Sequence, residues 1–337
     1  MQAAQLLKYD KRFRLEIKNI ARPIPADDEV LVQVKYAAVN PLELLIGTGS
    51  VRLIQNYRRP ITMGNEFSGR VIAVGNHVTA FHPEEAVYAR LPLDHIGAFA
   101  EYVVVNQDAL ALMPTNLDFA HAAAVPLTGL TAYQGLHEEL NALPGQRLLI
   151  PGGSGSFGQL AIPIAKQMGL NVVVSGNARS RESLLELGVD EYFDYHQVDY
   201  WKHLAPVNFV IDTLGKAELA HELAVIKPGG RLLSLRMGPN RQFAVDHDVP
   251  MWKKLLFTGA GWALDRQTAK SDVDYRFIFV RSDGQQLKKI TRIVEQENIK
   301  PALEHQRFSL SEINSALDMV AVGHPKGKVL IKFGEEA

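Results

Sequence analysis

Apolar and polar positions alternate at the front of the chain and give way to longer apolar runs behind. Glu29-Val-Leu-Val-Gln-Val-Lys35 has apolar side chains at 30, 32 and 34, the period of a half-buried strand. Phe67 to Gly75 and Ala98 to Val105 read as further strands, separated by turn residues at Asp27-Asp28, Gly75-Asn76 and Pro83. Met1 to Ile17 reads as a strand, a turn and a second strand. Residues 1–120 are therefore expected to form a barrel-like β unit. From about residue 120 the texture changes. Ala120–Ala124 and Leu127–Leu140 favour helix. Leu148–Ile150, Asn171–Ser175, Glu191–Tyr195, Asn208–Thr213, Gly230–Leu235 and Leu255–Gly259 then read as six strands. Helical segments such as Gly158–Met168 and Ser180–Leu187 lie between them. This alternation predicts an α/β domain over 121–265, a doubly wound parallel sheet whose carboxyl edge binds the ligand. Residues 266–337 carry two amphipathic helices, Gly284–Glu297 and Leu310–Val320, and a closing strand, Lys326–Phe333. Such a tail suits a return to the first domain, with the α/β domain inserted.

Composition narrows the function. The chain has 337 residues, 47% hydrophobic and 22% charged, with a net charge of −1. That balance suits a soluble globular protein, and no basic field favours nucleic acid or an anionic membrane. No apolar run reaches the roughly 18 residues of a membrane span, and the first residues lack a signal-peptide layout. A cytoplasmic protein is expected. There is no cysteine, which removes disulfides, thiolate metal sites and a cysteine nucleophile. Neither His137-Glu138 nor His221-Glu222 continues into H-E-x-x-H, and Asp246-His247-Asp248 reads as a solvated loop. No metal site is expected.

The chemistry concentrates in Arg147-Leu-Leu-Ile-Pro-Gly-Gly-Ser-Gly-Ser-Phe-Gly158. An apolar run breaks at Pro151 into Gly153-Ser154-Gly155-Ser156-Phe157-Gly158, and a helix-compatible run follows. Strand, glycine loop and helix start are the context that makes G-x-G-x-x-G a dinucleotide site. Gly153 would permit a tight turn, Gly155 would let backbone approach a pyrophosphate, and Gly158 would let helix and strand pack closely. A P-loop fails because Gln159 and Leu160 follow Gly158, and a nucleophile elbow fails because neither Ser154 nor Ser156 has the two flanking glycines.

The second strand and its sequel, Asn171-Val-Val-Val-Ser-Gly-Asn-Ala-Arg-Ser-Arg181, set the choice of cofactor. NAD sites place a carboxylate here to hold the ribose diol. This stretch has none. Ser175 and Asn177 offer neutral groups, and Arg179 and Arg181 offer cations. A guanidinium binds a 2′-phosphate that a carboxylate would repel, so the position selects NADP.

With these residues in place, the chain resembles the medium-chain dehydrogenase/reductase superfamily over nearly its full length. It looks most like the zinc-free quinone reductase and enone reductase branch. The resemblance rests on Val39–Glu43, Gly64–Gly75, Gly97–Tyr102, Val125–Tyr133, Leu143–Gly145, Asp212–Gly215, Lys227–Arg231 and Gly327–Leu330, in that order and spacing. It implies a GroES-like domain with an inserted Rossmann domain, and hydride transfer from NADPH to a small quinone or α,β-unsaturated carbonyl. It places Asn40 and Thr128 beside the nicotinamide, and Ser156 and Phe157 at the pyrophosphate. Ser175, Arg179 and Tyr195 would stand at the adenosine end, with Leu214, Phe279 and Val280 at the nicotinamide riboside. Zinc-dependent relatives place ligands where this chain has Asn40 and Asn65. Tyrosines that face the substrate in some quinone reductases are absent from Leu44–Val51, so no catalytic acid is named. The alternative to an enzyme is an NADPH-binding redox sensor or interaction protein with little turnover. The apolar segment Lys254–Ala260 reads as the edge strand of the second domain, through which related reductases pair, and a homodimer is expected.

Overall fold

The computed structural model describes residues 1–247, 249–322 and 325–334. The chain divides into two compact units. One comprises Met1–Leu130 and the chain from Arg281 onward, the other Thr131–Val280.

The first unit is mostly antiparallel β structure. Its long strand Glu29–Val39 pairs along one side with Glu66–Val74. Along the other side its first half pairs with Tyr102–Asn106 and its second half with Lys328–Lys332. That last pairing ties the tail to the front of the chain. Val30, Val32 and Val34 are buried as the alternation requires, and Leu31 is buried as well, while Gln33 and Lys35 on its side of the strand are only partly covered.

The second unit is a six-stranded sheet in the order Glu191–Asp194, Asn171–Gly176, Arg147–Pro151, Val207–Asp212, Ile226–Ser234, Asp274–Phe277, with every pairing parallel. Counted along the chain this is 3-2-1-4-5-6, the Rossmann order, and it reverses between Arg147–Pro151 and Val207–Asp212. Leu148, Leu149, Ile150, Val172, Val174, Val210, Ile211, Leu232 and Leu233 are all fully buried, as parallel strands covered on both faces must be.

One expected strand is not there. Leu255–Gly259 lies within a twenty-residue helix, Met251–Lys270, entered from Pro250. A short apolar window cannot distinguish strand from helix, and length decides. The surrounding Met, Leu, Lys, Ala, Gln and Arg are good helix formers, and the buried Phe257, Gly261 and Thr268 recur on one helical face. The edge strand is instead Asp274–Phe277, so the strand edge on which a dimer was expected does not exist at Lys254–Ala260. Because Asp274–Phe277 completes the sheet, the second unit runs past 265, and the helix Phe119–Ala123 packs on strands of the first unit. No helix among the described residues is long and apolar enough to cross a membrane.

Candidate functional site

The glycine loop forms a backbone cradle. The left-handed residue is Gly152, with φ of 66°, so the tight turn expected at Gly153 begins one residue earlier. Gly153 is pressed by the Ile150 carbonyl and Val174, where an added Cβ would sit 3.0 Å from each. A Cβ on Gly158 would overlap the Gly153 carbonyl oxygen, so the helix starts against the turn only because this residue has no side chain. Gly155 differs: a Cβ there would meet only the Gly152 carbonyl, at 3.8 Å. Gly155 is also the N-cap of the helix Ser156–Gln167, and no side chain caps it. The first N–H groups of that helix, those of Ser156 and Phe157 among them, receive no side-chain cap from Gly155, and a helix start of this kind is able to accept an anion.

The end of the second strand stands beside this cradle. Asn177 donates to the Ser154 hydroxyl at 3.5 Å, and the Tyr192 hydroxyl donates to the Asn177 carbonyl at 2.6 Å. Ser175 is buried and opposite Pro151 in the strand register. Arg179 lies in the short turn Ala178–Ser180, exposed and without an ion pair among the described residues. Tyr195 is 55% exposed, and its N–H donates to the Gly176 carbonyl. Leu214 leans over Gly152, and the Thr213 hydroxyl donates to the Pro151 carbonyl at 2.6 Å. Phe279 and Val280 follow the Asp274–Phe277 strand with Ile278 between, at its carboxyl end. The structure thus gathers Ser154, Ser175, Asn177 and Leu214 around the loop.

Asn40 and Thr128 lie in the first unit, joined by a buried ion pair. The Asn40 amide donates to Glu66 Oε1 at 2.9 Å. Lys328 Nζ lies 2.9 Å from the same oxygen and donates to the Thr128 hydroxyl at 2.9 Å. Glu66 Oε2 accepts from the Leu127 N–H at 2.7 Å, at the start of the helix Pro126–Gln134, so the carboxylate also caps that helix. A second carboxyl, Glu43, organises the neighbouring turn. It accepts from the Asn40 N–H at 2.7 Å, from the Asn65 side chain at 2.7 Å and from the Asn65 N–H at 3.1 Å. Complete burial outweighs these bonds and pushes its pKa up to about 7. Arg90 is buried too. Burial draws its pKa down to about 10, and its Nε and Nη2 have no hydrogen-bond partner among the described residues. Burial raises the Tyr57 hydroxyl, while the Arg90 charge partly offsets it.

The sequence reading missed this cluster. Glu43, Glu66 and Lys328 all fall inside the quoted segments, but nothing in a sequence shows that residues 66 and 328 pair. Among the described residues no three His, Asp or Glu side chains are grouped to hold a metal. Asp248, the third residue of the Asp246-His247-Asp248 run, lies outside the described residues.

Known proteins are similar to this chain along most of its length. Residues 26–115 match the alcohol dehydrogenase GroES-like domain, and residues 187–331 match a zinc-binding dehydrogenase domain. The 2-methylene-furan-3-one reductase of Solanum lycopersicum is 30% identical over 322 residues, covering 93% of this chain and 74% of that protein. The mitochondrial NAD(P)H oxidoreductase RTN4IP1 of Homo sapiens is 29% identical over 357 residues, covering 98% and 89%. The solved structure of the quinone oxidoreductase from Coxiella burnetii superposes with a TM-score of 0.80 at 25% identity, covering 99% of both chains.

Proposed function

The chain belongs to the medium-chain dehydrogenase/reductase superfamily, in its quinone and enone reductase branch, and we propose that it is an NADPH-dependent, zinc-independent reductase of quinones or α,β-unsaturated carbonyls. The observation that carries the reading is the uncapped cradle at Gly155, with the unpaired Arg179 after the second strand and no carboxylate at that strand's end.

When bound, the nicotinamide cofactor supplies the hydride. The chain binds and orients. Ser156 and Phe157 offer N–H groups to the pyrophosphate, with Gly153, Ser154, Gly155 and Gly158 shaping the approach. Arg179 holds the 2′-phosphate, while Ser175, Asn177 and Tyr195 hold the adenosine end. Leu214, Phe279 and Val280 flank the nicotinamide riboside. Asn40 and Thr128 border the nicotinamide, and the Glu66–Lys328 pair fixes the amide of one and the hydroxyl of the other. No side chain is assigned as proton donor: a reduced quinone takes its proton from water, and an enone that gains hydride at its β-carbon takes the proton for its α-carbon from a positioned donor or a water. The rate then comes from orientation and exclusion of water.

The donor set does not fit zinc. The chain has no thiolate, the Asn40 and Asn65 side chains bond to Glu66 and Glu43, and both Glu66 oxygens are engaged. We also propose a homodimer, now through the helix Met251–Lys270. Met251, Trp252, Leu255 and Trp262 stand 57–70% exposed on it, and monomeric soluble proteins rarely leave a large apolar patch in water. Two copies crossing antiparallel at the open Gly259 would set Leu256 against Trp262 and Trp252 against Arg266. The proposed location is the cytoplasm, tested by fractionation against the mitochondrial location named for one relative. The test of function is a panel of quinones and enones offered with NADPH and with NADH. Consumption of NADPH by members of one class supports the reading, and inertness towards both classes refutes it.

A further inference from the structure

A second buried construction in the Rossmann unit controls the loops at the carboxyl edge. Asp212 ends the Val207–Asp212 strand and is fully buried. Its Oδ1 accepts from the N–H groups of Leu214 at 2.8 Å and Gly215 at 2.6 Å. Its Oδ2 accepts from the Ser234 hydroxyl at 2.6 Å. Ser234 ends the next strand, and its oxygen accepts from the N–H groups of Met237 at 2.8 Å and Arg236 at 3.1 Å. One carboxylate and one hydroxyl therefore hold two loops, the first of which carries Leu214.

Glu222, on the helix Leu219–Val225, is also fully buried, and neither of its oxygens receives a hydrogen bond among the described residues. A buried carboxylate with no donor is not a stable species. The charges that act on it are Asp212 from the strand and Glu218 from its own helix, and no lysine or arginine is among them. Tyr200, from the helix Tyr200–His203, directs its hydroxyl to Glu218 at 2.7 Å. His221 stacks on Trp201 at 3.5 Å, with Nδ1 3.5 Å from Glu218. Tyr275, on the last strand, donates to the Gly238 carbonyl at 2.8 Å. None of these neutralises an anionic Glu222. A carboxylic acid resolves the problem: it brings its own donor, and Asp212 is the acceptor beside it.

We propose that Glu222 is a positioning residue, kept protonated, whose O–H completes the shell of Asp212 and so holds the Leu214 and Arg236–Met237 loops for the cofactor. This rests on the reading of the unit as a nicotinamide nucleotide site. Burial first, then the charge of Asp212, pushes the Glu222 pKa from 4.5 up to about 9. Above that pH the side chain ionises against Asp212, and the loops lose their anchor.

Two measurements on the full chain test this. The first is NADPH titration by tryptophan fluorescence from pH 7 to pH 10. Wild type should bind about tenfold more weakly at the alkaline end, a change equivalent to one pKa unit of coupling. Glu222→Gln, neutral and still a donor, should bind as wild type at pH 7 and stay flat to pH 10. Glu222→Ala should raise KM for NADPH at every pH with little change in kcat. Parallel pH profiles for wild type and Glu222→Gln, or an Ala variant with unchanged KM, would overturn the proposal. The second measurement is melting temperature against pH, which needs no cofactor. Between pH 4.5 and 9 the folded state holds a proton that the unfolded chain releases, so wild type should lose stability as pH rises, and Glu222→Gln should lose less. Equal slopes would contradict a protonated Glu222. Wild type that binds no nicotinamide nucleotide at any pH would refute the cofactor reading and the positioning role with it, while the melting slopes would still decide the protonation state.

Discussion

Replacing Lys328 by Met tests whether the buried ion pair organises the first unit. The Lys328 and Glu66 side chains are 6% and 0% exposed, and Nζ lies 2.9 Å from Oε1. Met fills most of the lysine stem and removes only the charge. Glu66 would keep the Asn40 amide and the Leu127 N–H, yet hold a buried negative charge stripped of its direct ion-pair partner, with Arg90 acting on it only at longer range. Removing one partner of such a pair costs about 3–5 kcal/mol. Set against a typical stability of about 5–15 kcal/mol, that is on the order of 10 °C in melting temperature. Thr128 also loses its donor, so hydride transfer should slow in whatever protein remains folded. The double variant Glu66→Gln, Lys328→Met removes both charges and should recover most of the lost stability, because the desolvation penalty goes with them. The three tryptophans, Trp201, Trp252 and Trp262, all lie in the other unit, so calorimetry or circular dichroism is the suitable readout. A single variant that loses less than about 1 kcal/mol, or a double variant no more stable than the single, would refute the assignment.

Arg179→Ala should weaken NADPH binding by roughly tenfold to a hundredfold per lost charge-assisted bond and leave NADH almost unchanged, as titration of both would read. Equal affinities in wild type would sink the choice of NADP. Exhaustive chelation should leave turnover and melting temperature unaltered, and activity that departs and returns with stoichiometric zinc would reverse that reading. Leu255→Lys should shift the assembly towards monomer in light scattering at micromolar concentration, and a wild type that stays monomeric when concentrated would remove the dimer.

The parts of the fold that were legible in sequence are those set by local pattern. The apolar runs at 148–150 and 171–175 with the glycine loop between them specify strand, turn and helix start without reference to the rest of the chain, and both runs are strands of the sheet. Leu255–Gly259 reads as a strand, and is not one, for the same local reason. Five apolar or small residues suit either period, and what marks the helix is the run of flanking residues out to Lys270. The glycine of positive φ is Gly152, because the turn begins before the motif does. The polar core was illegible for a different reason. Glu66, Lys328 and Thr128 meet only once the tail strand enters the sheet beside Glu29–Val39. Glu222 looks like any helix-surface glutamate in sequence, and only its burial against Asp212 singles it out.

The most direct test of the central claim is the number of turnovers per protein molecule. NADPH is mixed under anaerobic conditions with a catalytic amount of the chain and an excess of a small quinone, then of a small enone, and the nicotinamide absorbance is followed to completion. An NADPH-dependent reductase consumes many equivalents of cofactor per chain with at least one of the two acceptors. Consumption that stops at one equivalent, or tight NADPH binding with no oxidation by either acceptor, contradicts the account and describes a sensor.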